Sequence, residues 1–175
     1  MCSTAEGALY NLSAFSMCAH NGTHIDAPFH FLPEGNTVEQ MPLESFVGPC
    51  FVARHQGDVS AADAEAIFKK AGSPERLLIA GDITVTEAAA SFFAARGLRL
   101  LGNEGQTVGP ANAPMQVHKI LLRKNIVLLE GIVLSDVPEG HYFLSAAPLN
   151  LQGCDGAPCR AYLIPISNKP KGASI

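Results

Sequence analysis

The chain has 175 residues, 47% apolar and 16% charged, an ordinary globular composition with enough apolar side chains to give one domain a substantial core. The formal net charge of −4 comes with no basic stripe, and the only lysine-rich stretch, Lys169 to Lys171, is a short tail around Pro170, so nucleic-acid binding is disfavoured. No window approaches the roughly 18 uncharged apolar residues of a membrane helix, and no basic region leads into an apolar run at the N-terminus, so a soluble, cytoplasmic protein without an export signal is expected.

The first informative segment in chain order is His20-Asn21-Gly22-Thr23-His24-Ile25-Asp26-Ala27-Pro28-Phe29-His30. It holds three of the six histidines and an aspartate. Imidazole nitrogen and carboxylate oxygen are donors that zinc and manganese accept. His20 and His24 have the i, i+4 spacing of a helical site, but Asn21-Gly22 is a turn pair and Pro28 drives Ala27 into an extended conformation. An extended Thr23 to Ala27 places His24 and Asp26 on one face, and the turn at Gly22 returns His20 to them. That is an N, N, O donor set with room for water, the pattern of a catalytic rather than a closed structural metal site.

Downstream, β-like and helix-like segments alternate, as in α/β proteins. Strands are expected over Gly48 to Gln56, Leu77 to Ala80, Leu98 to Leu101, Ile126 to Leu134, Tyr142 to Leu144 and Ala161 to Ile166. Helices are expected over Ser60 to Ala71, from Thr86 to a stop at Gly97, and over Met115 to Lys124. Gly102-Asn103-Glu104-Gly105 reads as a turn. The five cysteines are scattered, without a C-x-x-C pair, and read as reduced thiols. Cys18 is expected to be small buried filler. His55 and His141, isolated in sequence, read as ordinary core or surface groups.

Glu130 interrupts the apolar run Ile126 to Leu134. A buried carboxylate without a partner costs several kcal/mol, so a cation is expected beside it, and a metal is the natural candidate; the other reading is an edge-strand glutamate facing water. His118 lies twelve residues earlier on the preceding helix and can bring a further nitrogen to the same end.

These residues resemble the cyclase-like metal-dependent hydrolases that include bacterial kynurenine formamidases and isatin hydrolases. The pattern H-x-G-T-H-x-D-x-P-x-H is met in full by His20, Gly22, Thr23, His24, Asp26, Pro28 and His30. The downstream pair His118 and Glu130 and the segment Gly153-Cys154-Asp155-Gly156-Ala157-Pro158-Cys159-Arg160-Ala161 extend the match to nearly the whole chain. The resemblance implies one swivelling β/β/α domain over residues 1–175, an α/β fold with a mixed central β-structure flanked by helices, assembled as a homodimer or homotetramer. It implies that His20, His24 and Asp26 bind one divalent ion, Zn²⁺ or alternatively Mn²⁺. His118 and Glu130 would join Asp26 around a second ion or the same one, and His30 would be the catalytic acid–base. The implied activity is hydrolysis of a small amide, formamide or lactam, arylformamidase-like, by water activated at the metal. The chain lacks tryptophan, so Phe29, Phe31 and Phe46 are the candidates to stack on an aryl substrate. Nineteen residues precede His20, fewer than family members usually carry. The alternative is therefore a catalytically silent metal-binding relative serving as a binding or assembly protein.

Overall fold

In the computed structural model, which describes residues 1–166, ten strands and three α-helices follow one another among the described residues. They are β1 (His24–Asp26), β2 (Val47–Arg54), β3 (Gly57–Val59), α1 (Ala61–Lys70), β4 (Arg76–Ala80), β5 (Ile83–Val85), α2 (Glu87–Ala94), β6 (Leu100–Asn103), α3 (Met115–Leu122), β7 (Val127–Glu130), β8 (Gly140–Ser145), β9 (Gly156–Pro158) and β10 (Tyr162–Pro165). The helices start where the sequence predicts. Ser60 accepts the Asp63 N–H at 3.2 Å while the Asp63 carboxylate accepts the Ser60 N–H at 3.0 Å, a reciprocal cap on α1. Thr86 accepts the Ala89 N–H at 3.2 Å and caps α2.

Eight strands form one mixed sheet in the order β10-β8-β2-β4-β6-β7-β1-β9, and β3 pairs with β5 in a separate parallel ribbon. The central strands β2, β4, β6 and β7 run parallel. On one flank β8 is antiparallel to β2, and on the other β1 is antiparallel to both β7 and β9. Successive side chains in a strand face opposite sides, so the apolar runs of the central strands supply two cores. Leu77, Ile79, Leu101 and Leu128 pack against Phe68, Phe93 and Leu121 of the three helices. Leu78, Leu100, Val127 and Leu129 pack on the other side with Val38, Met41, Phe46 and Leu144. This is the helix-flanked mixed sheet of the expected swivelling α/β architecture.

Several boundaries differ from expectation. The predicted Ile126 to Leu134 strand is cut to Val127–Glu130, because Gly131 adopts φ +66 and its N–H turns to Gly105 O at 2.8 Å. The strand expected at Leu98 to Leu101 starts at Leu100, since the Arg99 N–H is taken by Glu75 O at 2.7 Å. The strands β3, β5 and β9 have three residues each, too short to give a periodic signal. Cys18 is exposed rather than buried filler, while all five cysteines are free thiols. Among the described residues no helix is long and apolar enough to cross a membrane. The tail Lys169 to Lys171 lies outside the described residues.

Candidate metal centre

Period-two geometry assembles the site. Ile25 is fully buried in the core away from the helices, so its neighbours His24 and Asp26 point to the helix side. Leu128 of β7 belongs to the helix-side core, and Glu130, two residues on, shares its face. The antiparallel register sets His24 directly opposite Glu130 and Asp26 opposite Leu128. Helix α3 packs over this face and contributes His118. The single turn of 3-10 helix Pro28–His30, entered through Pro28, contributes His30, and the loop leading into β9 contributes Asp155.

Four of these side chains are almost fully buried: His24 and Asp26 at 1% exposure, Glu130 at 2% and His118 at 3%. They alternate around a closed ring. His24 Nε2 is 3.3 Å from Asp26 Oδ1 and 3.7 Å from Glu130 Oε2, while His118 Nε2 is 3.5 Å from Asp26 Oδ2 and 3.3 Å from Glu130 Oε1. Glu130 Oε1 also accepts the Val108 N–H at 2.9 Å. Nearer the surface, His20 Nδ1 is 2.7 Å from Asp26 Oδ1, and Asp155 Oδ2 lies 2.8 Å from both His20 Nε2 and His30 Nδ1. The His20 and His30 rings stack at 3.9 Å, and Phe31 packs at 4.6 Å from both the His30 and His118 rings.

The donor set fits a divalent cation. The Nδ1–H groups of His24 and His118 are donated to Gly22 O at 2.9 Å and Pro114 O at 2.8 Å, which leaves a lone pair on each Nε2 when the ring is neutral. Those lone pairs face carboxylate oxygens, an arrangement that repels unless a cation sits between them. Tetrahedral coordination at bond lengths of roughly 2.0–2.1 Å sets neighbouring donors about 3.3–3.4 Å apart, close to the separations in the ring. His24, Asp26 and Glu130 offer donor atoms that all lie within 4.8 Å of one another, as do His20, Asp26 and His30, so Asp26 is common to both groups.

Protons take the cation's place electrostatically. Burial opposes charge on His118, but its hydrogen bonds to Asp26 and Glu130 prevail and raise its pKa to about 9. At His20 burial is again outweighed, here by Asp26 and Asp155, and the pKa is also raised to about 9. His24 is shifted upward in the same way, by Asp26 against burial. Burial pushes the Asp26 carboxyl up, yet hydrogen bonds from His118, His20 and His24 hold it well below the usual carboxylate range. This is a pocket of negative charge that demands cations.

All six residues singled out from sequence, His20, His24, Asp26, His30, His118 and Glu130, come together here, although the two geometric groups cut across the division of ligands that the resemblance implies. Glu130 is buried and paired, not an edge residue facing water. His55 and His141 lie elsewhere: His55 bonds Asp58 O at 3.1 Å and His141 packs edge-on to Phe51. Phe46 does not reach the site; it is buried in the core on the opposite side of the sheet. Phe31 touches two of the site's histidines, and Phe29 is 39% exposed. Sequence reasoning assigns no role to Asp155, which stands 125 residues from His30. Its only signal is its place between two glycines in the segment Gly153 to Ala161.

Comparison with known proteins identifies the family of the chain. The Cyclase family model matches residues 3–110. The kynurenine formamidase of Salinibacter ruber is 34% identical over 168 residues, spanning 87% of this chain and 79% of that one. A solved structure described as a potential metal-dependent hydrolase with cyclase activity superposes with a TM-score of 0.76 at 33% identity, covering 85% of this chain and 80% of that one. An isatin hydrolase solved with the product analogue thioisatinate shares the fold at a TM-score of 0.74 and 19% identity, covering 86% of this chain and 74% of that one. The chain belongs to the Cyclase family, the cyclase-like metal-dependent hydrolases that its histidine signature resembles.

Proposed function

We propose that the protein is a metal-dependent amidohydrolase that cleaves the C–N bond of a small formamide, amide or lactam, with an arylformamide as the leading substrate class. Identities of 32–34% to curated kynurenine formamidases over most of the chain support hydrolysis of C–N bonds. The observation that carries the metal is the buried ring of His24, Asp26, Glu130 and His118, with histidine lone pairs aimed at carboxylates. In this reading His20, His24, Asp26, His118 and Glu130 hold one or two divalent ions, Zn²⁺ in preference to Mn²⁺ because imidazole is prominent in the set. A cation there supplies Lewis acidity, which polarises a carbonyl oxygen and makes water a better nucleophile at neutral pH.

The protein's own groups handle the proton. His30 sits at the rim of the cluster, more accessible than the buried four, with its ring held by stacking on His20. It takes a proton from the attacking water as the new C–O bond forms and delivers it to nitrogen as the C–N bond breaks. Phe31, edge-on to His30, gives an aryl group an apolar neighbour. The working unit in this reading is a single domain over 1–175 acting as a cytoplasmic homodimer or homotetramer.

The test is hydrolysis of a panel of formanilides, cyclic amides and phenyl esters by chelated, Zn²⁺-loaded and Mn²⁺-loaded protein, alongside His30→Ala. Turnover that vanishes on chelation, returns with metal and drops by about 100-fold or more in His30→Ala with metal content unchanged is expected. Metal-loaded protein that turns over no member of the panel would instead mark a silent metal-binding relative.

A further inference from the structure

Asp155 belongs neither to the buried ring nor to the residues assigned a role above. A carboxylate oxygen only accepts, so the two 2.8 Å contacts at Asp155 Oδ2 require hydrogen on both His20 Nε2 and His30 Nδ1. A neutral imidazole with one nitrogen so fixed carries its lone pair on the other. For His20 that is Nδ1, which points into the cluster 2.7 Å from Asp26 Oδ1: a cation between the two would take its lone pair, and without one that contact too calls for hydrogen on Nδ1. For His30 it is Nε2, the nitrogen left to exchange a proton with substrate or water.

The backbone that carries this carboxylate is tied down at three successive residues. The Asp155 carbonyl accepts the Ala27 N–H at 2.9 Å, the Cys154 carbonyl accepts the Val38 N–H at 2.9 Å, and the Gly153 N–H donates to Glu39 Oε1 at 3.0 Å. An exposed carboxylate that meets histidines by chance contributes little. Asp155 is 38% exposed, but its backbone is pinned and one oxygen serves two stacked rings.

We propose that Asp155 is a positioning residue: through a single oxygen it sets the ring orientation and tautomer of both His20 and His30, and so ties a metal-facing histidine to the acid–base. The assignment rests on the metal-hydrolase reading above. Carboxylates that orient metal-site histidines are worth about 10–100-fold in metal affinity or activity.

The experiment compares wild type with Asp155→Ala and Asp155→Asn as full chains, labelled with ¹⁵N-histidine and loaded with Zn²⁺. Long-range ¹H–¹⁵N correlations report which nitrogen of each ring bears hydrogen. In wild type, hydrogen on His20 Nε2 and His30 Nδ1 is expected, and in Asp155→Ala both rings lose the single tautomer. Zn²⁺ affinity, by competition with a chromogenic chelator, and kcat on the formanilide panel each fall about 10–100-fold in Asp155→Ala, with KM little changed. Asp155→Asn is isosteric, keeps an acceptor and loses the charge, so the same readouts move less; it also serves if alanine loosens the loop. Wild-type tautomers, affinity and kcat in both variants would overturn the proposal. A wild type without turnover would sink the hydrolase reading instead, and the tautomers and affinity would still decide the role of Asp155.

Discussion

Gly156 is where the fold and the site press most closely on one another, and Gly156→Ala measures that pressure. The residue lies in β9 opposite Asp26, and a Cβ there would sit 2.5 Å from Ile25 O and 2.6 Å from His20 Cε1. Ordinary C···O contacts are about 3.3–3.6 Å, so the clash with Ile25 O is roughly 0.8 Å or more. Ile25 is fully buried between two paired strands and cannot yield. The His20 ring can, but only by leaving its 2.7 Å and 2.8 Å partners, Asp26 and Asp155. Overpacking of this kind costs about 1–3 kcal/mol. In a domain of this size that lowers Tm by roughly 2–12 °C. Displacing His20 is expected to weaken Zn²⁺ binding by about 10-fold or more. Thermal unfolding of chelated protein reads the first effect and chelator competition the second. A variant with wild-type Tm and wild-type affinity would show that β9 does not crowd His20, and the account of how this ligand is seated would fail.

Three other substitutions separate the site from the scaffold. Glu130→Gln keeps the acceptor for the Val108 N–H but removes one of two buried negative charges facing His24 and His118, so metal affinity should fall by more than the roughly 10–100-fold of an outer-sphere change, read by the same competition assay. Leu101→Ala opens a cavity between the sheet and the helices and should cost about 2–5 kcal/mol in urea unfolding, while the folded fraction binds metal with wild-type affinity in the competition assay. Ser60→Ala removes the cap of α1, on a helix that contributes none of the site's side chains, and should cost about 1 kcal/mol with affinity unchanged.

What the sequence reveals about the site follows from how locally each part is encoded. His20, His24, Asp26 and His30 are legible because one turn, one strand and one proline set their directions within eleven residues. Glu130 is legible as a charge inside an apolar run, since burial without a partner is costly wherever the strand lies. Phe46 misleads for the complementary reason: an aromatic residue near the signature in sequence says nothing about which side of the sheet it faces, and it faces the other core. Asp155 is hidden because its partners are reached only after β9 docks beside β1, a pairing that three-residue strands do not announce.

The step that local patterns cannot supply is the register between β1 and β7, and the apolar residues supply it. Ile25 and Leu129 are cross-strand partners, both fully buried in the core away from the helices. A one-residue slip of β1 would expel Ile25 from that core and turn His24 and Asp26 into it, setting two polar groups in an apolar layer with no cation to meet them. Burial of Ile25 and Leu129 therefore selects the pairing that puts His24 across from Glu130 and beneath His118. In this fold the hydrophobic pattern is what aims the polar ligands, so a substitution such as Ile25→Thr, remote from every donor atom in chemistry, is expected to loosen the metal centre through the strand that carries it.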